Sequence, residues 1–78
     1  MIRFENTRRA WTLRDRDFRE LIAKLGAAEN LEAADRMIAA AFTYIWLATQ
    51  AGETRRAQAW TIELGTAVDA HPVVGAPR

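Results

Sequence analysis

Leu31-Glu32-Ala33-Ala34-Asp35-Arg36-Met37-Ile38-Ala39-Ala40-Ala41-Phe42-Thr43-Tyr44-Ile45-Trp46-Leu47-Ala48-Thr49-Gln50-Ala51, closed by Gly52, is the stretch that decides how this chain folds. Leu31, Ala34, Ile38, Ala41, Phe42, Ile45 and Thr49 recur at the spacing of one helical face, so a helix is expected over 31–51. Asn30 is placed to cap it, with Glu32 and Asp35 near the positive end of its dipole. Met37, Tyr44, Trp46 and Leu47 fall off that stripe, which makes the helix apolar around most of its circumference. Such a helix needs neighbours on several sides. A single small domain supplies about two of them, so Met37, Tyr44 and Leu47 are the expected self-association surface of a homodimer. The apolar run from Met37 to Ala48 is about 12 residues, against about 20 for a membrane span, and reads as a core helix.

Outward from this stretch, two breaks organise the chain: Gly26-Ala27-Ala28-Glu29-Asn30 and Gly52-Glu53-Thr54. Each pairs a glycine able to end one helix with a residue able to cap the next. The first helix is expected over about 13–25, capped by Thr12 with Asp15 three residues on, and buried through Phe18, Leu21, Ile22 and Leu25. A third is expected over about 55–70, starting after Thr54, with Ala57, Trp60, Leu64, Ala67 and Val68 as its seam. His71-Pro72 stops it, because proline disfavours helical geometry in the residue before it. Gly65 is a weak point at which this helix could break. Ile2 and Phe4 alternate with Arg3 and Glu5, so the arm over 1–12 reads as extended, a short strand, or an early extension of the first helix. Residues 73–78 read as a frayed tail. The whole is one mainly α domain spanning 1–78, of three helices.

Composition narrows the chemistry. With 78 residues the chain buries a small core, and the usual supplements are disulfides, a structural metal or oligomerisation. There is no cysteine, and His71 is the lone histidine, so disulfides, thiol nucleophiles and cysteine-containing zinc sites are excluded. Oligomerisation, or docking on a larger partner, is the supplement left. The early charges in Met1-Ile2-Arg3-Phe4-Glu5 do not suit a signal peptide, and a cytoplasmic setting is expected. The net charge of +1 exerts little pull toward nucleic acid or membrane. The N-terminal third is the positive end, with Arg3, Arg8, Arg9, Arg14, Arg16, Arg19 and Lys24 against four acids.

Catalytic equipment is thin. The chain has no serine, and His71 beside Pro72 suits a helix end near the negative pole of the dipole better than a base or a metal ligand. Asp15 with Asp17, and Glu29 with Glu32 and Asp35, fit solvated helix faces and helix starts rather than acid–base pairs. A helix-turn-helix reading fails on register. With Gly52 as the turn, Glu53, Gln58 and Thr61 occupy buried sites of that motif; with Gly26, Glu32 and Asp35 do. Enzyme activity, cofactor and metal are therefore not expected.

Arginine and tryptophan dominate binding hot spots, and two combinations stand out: Arg8-Arg9-Ala10-Trp11, and Arg55-Arg56 one turn before Trp60. Trp46 and Trp60 are expected in the core, whereas Trp11 has no apolar staple partner because Arg16 stands where one is needed. Arg8, Arg9, Trp11, Arg55 and Arg56 are thus the expected partner-binding residues. In size and build the chain resembles the small, motif-poor inhibitor proteins of phages and mobile elements, including anti-CRISPR proteins. That resemblance implies a non-enzymatic protein that docks on a larger complex such as a CRISPR surveillance complex, and it transfers no individual residue. The competing expectations are nucleic-acid binding through the basic N-terminal third and an accessory subunit of a larger enzyme. On the self-association reading, Leu47→Glu would break the dimer with little loss of helicity, a result that solution mass and circular dichroism would show together.

Overall fold

Three helices follow from these signals in the computed structural model, which describes residues 14–75: α1 (Asp15–Ala27), α2 (Leu31–Gln50) and α3 (Thr54–Ala70). No strand occurs among the described residues. The Thr12 cap, the start of the first helix at 13, the arm over 1–12 and the last three tail residues lie outside the described residues. All three helices pack against one another, with α2 against both neighbours.

Local chemistry explains the boundaries. Arg14 is the N-cap of α1 through its backbone alone, its carbonyl accepting from Asp17 N at 2.9 Å, while Asp15 and Asp17 place negative charge at the positive end of the dipole. Gly26 does not end this helix; α1 runs through it, and the chain leaves where Ala28 turns extended at φ −66°, ψ 126°. Asn30 caps α2 as expected, its Oδ1 accepting from Ala33 N at 2.8 Å. The end of α2 is a Schellman turn. Glu53 N donates to Ala48 O at 2.9 Å and Gly52 N to Thr49 O at 3.0 Å, with Gly52 at φ 79°, a conformation a side chain would strain. Thr54 is the first residue of α3 rather than its cap, and the helix continues unbroken through Gly65.

The buried core comprises Phe18 and Leu25 from α1, Ala34, Ala41, Leu47 and Ala48 from α2, and Ala57, Trp60 and Leu64 from α3. Ala34, Ala41 and Ala48 stand seven residues apart, which keeps one line of small side chains facing the neighbouring helices along the length of α2. The expected seams of α1 and α3 are found. That of α2 is rotated by roughly half of one residue's 100° step, so Leu31, Phe42 and Thr49 turn outward. Two further expectations are corrected. Trp46 is 59% exposed rather than in the core, and Leu47 is 4% exposed, packed inside its own domain and not available as a subunit contact. Met37 and Tyr44 are half-buried against the same core.

The chain beyond α3 is held rather than frayed as far as Gly75. His71 is buried, its Nδ1 accepting from Val73 N at 3.1 Å and Val74 N at 3.3 Å, and its Nε2 lies 3.0 Å from Ala28 O. An Nδ1 that accepts two N–H groups leaves the proton on Nε2, which donates it to the Ala28 carbonyl. Gly75 N donates to His71 O at 2.8 Å, and a Cβ at Gly75 would stand 2.6 Å from Val68 O, so only glycine fits this close return onto the end of α3. No buried side-chain nitrogen or oxygen among the described residues lacks a partner.

Two measurements test this account. Leu47→Glu buries an unpaired carboxylate and is expected to cost about 4 kcal/mol or more, with loss of helical circular dichroism, reversing the outcome expected for an exposed Leu47. His71→Ala strands two amides and a carbonyl and should cost about 1–3 kcal/mol in urea unfolding, with faster hydrogen exchange at Val73 and Val74.

Candidate functional site

Trp60 organises the interior, and its neighbours account for one of the expected binding residues. The indole stacks on Phe18 with ring centroids 4.6 Å apart and planes 2° from parallel, and Tyr44 meets it at 6.2 Å and 47°. Its Nε1 donates to Asp15 Oδ1 at 3.2 Å. The Arg56 guanidinium lies 5.7 Å from the ring centroid, 3.3 Å from Glu53 Oε2 and 3.7 Å from Asp15 Oδ1. Arg56 thus has partners within the domain, while Arg55 beside it is exposed. The structure does not bring Arg55 and Arg56 to a common task, and Arg8, Arg9 and Trp11 lie outside the described residues. Tyr44, half-buried against Trp60, likewise belongs to the interior.

The surface that stands apart is on α2 and α3. Phe42 is 57% exposed, Trp46 one turn later is 59%, and Ile62 on α3 is 70%. Between the two helices run two solvent-open grooves. One, of about 460 Å³, is lined by Ile45, Thr49, Thr54, Ala57, Gln58, Thr61 and Ile62; the other, of about 330 Å³, by Ile38, Phe42, Thr61, Leu64, Gly65, Val68 and Asp69. Thr61 lines both.

Two threonine hydroxyls on this face are turned inward. Thr49 Oγ1 donates to Ile45 O at 2.9 Å and Thr61 Oγ1 to Ala57 O at 2.7 Å, as Thr43 Oγ1 does to Ala39 O at 3.0 Å. A threonine bonded back to the preceding turn spends its hydroxyl within the helix and leaves its methyl for the surface. Charge is sparse as well: α2 has no ionisable side chain other than Tyr44 from Met37 to Gln50, α3 has none from Ala57 to Ile62, and among the described residues Asp69 is the one ionisable residue lining either groove. Chemically, the face can bury apolar area against a partner at little desolvation cost. Among the described residues no group of three or more His, Asp or Glu side chains is placed to hold a metal ion, and no helix is long and apolar enough to cross a membrane.

Sequence reasoning put Phe42 in the core stripe and Trp46 in the core, and so missed this face. The signal that could have found it is the long uncharged run of α2, which one pair of neighbouring helices cannot cover. The two tryptophans separate the roles: Trp60→Ala should cost about 3–5 kcal/mol of stability, and Trp46→Ala about 1 kcal/mol or less, both read from urea unfolding. Compared with protein-family models, with curated proteins and with solved structures, the chain matches none.

Proposed function

We propose that this protein is a non-enzymatic protein-binding module that works through the apolar face of α2 and α3. The observation that carries the reading is the pairing of Phe42 and Trp46, one turn apart and more than half exposed, beside two neighbouring grooves on a charge-poor surface. Contiguous apolar patches of several hundred Å² on a small domain mark interaction sites, and large aromatics are the side chains that anchor them. In its finer form, resting on size and build, the protein is a phage-type inhibitor that docks on a larger complex such as a CRISPR surveillance complex.

The test compares the full chain with Trp46→Glu as baits, and follows solution mass with and without generic duplex DNA at low and high salt. Proteins retained by the wild type at high salt and lost by Trp46→Glu, with no mass shift on DNA, are the expected result. Equal retention by both baits would sink the assignment of this face. A shift onto DNA at low salt that vanishes at high salt would move the function to the basic N-terminal third, since phosphate contacts weaken steeply as salt rises.

A further inference from the structure

We propose that the partner seated on the α2–α3 face is a second copy of this chain, related by a twofold axis and packed through Phe42, Trp46 and Ile62. The proposal rests on the reading of this face as a protein-binding surface and names its occupant; the species that docks on a larger complex is then the dimer, which Trp46→Glu removes from the bait.

Three observations favour a copy over a foreign partner. The first is charge. Around a twofold axis each patch meets itself, so an ionised side chain near the axis meets its own kind and is repelled. The stretch of α2 that carries Phe42 and Trp46 has no charged residue from Met37 to Gln50, and Glu63 lines the groove on the α1 side of Ile62 instead. The acids that border the face, Asp69 in the groove beside Phe42 and Glu63 beyond Ile62, lie to either side of this uncharged run, so a twofold axis through the run brings few like charges together and offers little with which to select a charged partner.

The second is shape. Ile62 stands as a ridge on α3, lining the groove of about 460 Å³ toward α2 and another of about 400 Å³ toward α1. Gly65, one turn on, leaves open space, because an added Cβ there would meet nothing within 4 Å. A ridge flanked by grooves is self-complementary: under a twofold, the Ile62 of each copy can enter the groove of the other.

Area is the third. Phe42 and Trp46 are 57% and 59% exposed, and with roughly 200–250 Å² per aromatic side chain they offer about 250 Å² between them. Ile62 and the groove walls bring one copy to roughly 500 Å², so that two copies reach the total of about 1,000 Å² at which a specific interface becomes sustainable. Among the described residues the large buried side chains are Phe18, Leu25, Leu47, Trp60 and Leu64, and a core of that size in a chain without cysteine gains from association.

Sedimentation equilibrium of the full chain, from low micromolar to several hundred micromolar, tests the proposal. The wild type is expected to approach twice the monomer mass. Phe42→Glu and Trp46→Glu should each weaken association by about a hundredfold or more, because a carboxylate desolvated without a partner opposes burial, while helicity is retained. Ala23→Glu, on the exposed side of α1, should leave the mass unchanged. A wild type that stays monomeric at the highest concentration overturns the second copy but not the wider reading, which the bait comparison judges separately. A dimer unaffected by both face variants overturns it too.

If the glutamate variants unfold, a milder probe decides. The chain has no cysteine, so Trp46→Cys and Ala23→Cys each carry a single thiol. A short bismaleimide linker is expected to join two Trp46→Cys chains and to leave Ala23→Cys unjoined. The reverse pattern, or no joining in either, overturns the proposal.

Discussion

The Phe18–Trp60 stack is the contact on which the rest of the domain depends. It joins the first helix to the third with two nearly parallel rings, and Tyr44 brings in the second. A small core cannot rely on volume alone, and here one indole reaches all three helices at once. The polar edge of the ring matters too. Its N–H finds its partner in the Asp15 carboxylate at the start of α1, and Asp15 also stands beside Arg56, so one acid serves both the ring and the cation above it. These pairs are partly exposed, and exposed ion pairs contribute about 0–1 kcal/mol. They orient the ring more than they stabilise the fold.

Around that stack, alanine sets the spacing. Ala34, Ala41 and Ala48 let α2 lie close to its neighbours, and the larger side chains of α2 are displaced to either side of that line. Tyr44 goes inward toward Trp60, while Phe42 and Trp46 go outward beside α3. The proposed binding face and the tight interior thus have one cause. A helix that buries its small residues has to expose some of its large ones.

Much of the architecture was legible in the residues, and the reasons are local. Asn30, Gly52 and His71-Pro72 act on the backbone within a few residues, so their roles follow from chemistry that needs no partner. Gly26 misled because a glycine permits a left-handed turn without requiring one, and Ala28 makes the exit in extended conformation instead. The seams of α1 and α3 were readable because each has one apolar side. On α2 the apolar residues occupy most of the circumference, and nothing in the periodicity says which arc the neighbours will cover. Trp46 and Leu47, assigned to the interior and the surface, therefore exchanged places. The work of His71 was hidden for another reason: its partner Ala28 is 43 positions away in the chain.

That separation bears on how the domain assembles. Residues on α2 and α3 face each other across the short turn at Gly52, so this hairpin closes a small loop and can form early and quickly. The two bonds that hold α1 to the C-terminal part of the chain, Asp15 to Trp60 and Ala28 to His71, span 45 and 43 positions. Their loop-closure entropy is larger, and it is recovered when the Phe18–Trp60 rings stack. The docking of α1 on α3, as distinct from its packing on α2 across residues 28–30, is then the later step, and the Ala28 to His71 bond cannot form before it. A chain emerging from the ribosome can lay α1 against α2 across the short turn at 28–30, but the tie from Ala28 to His71 waits until the residues beyond Ala70 are available.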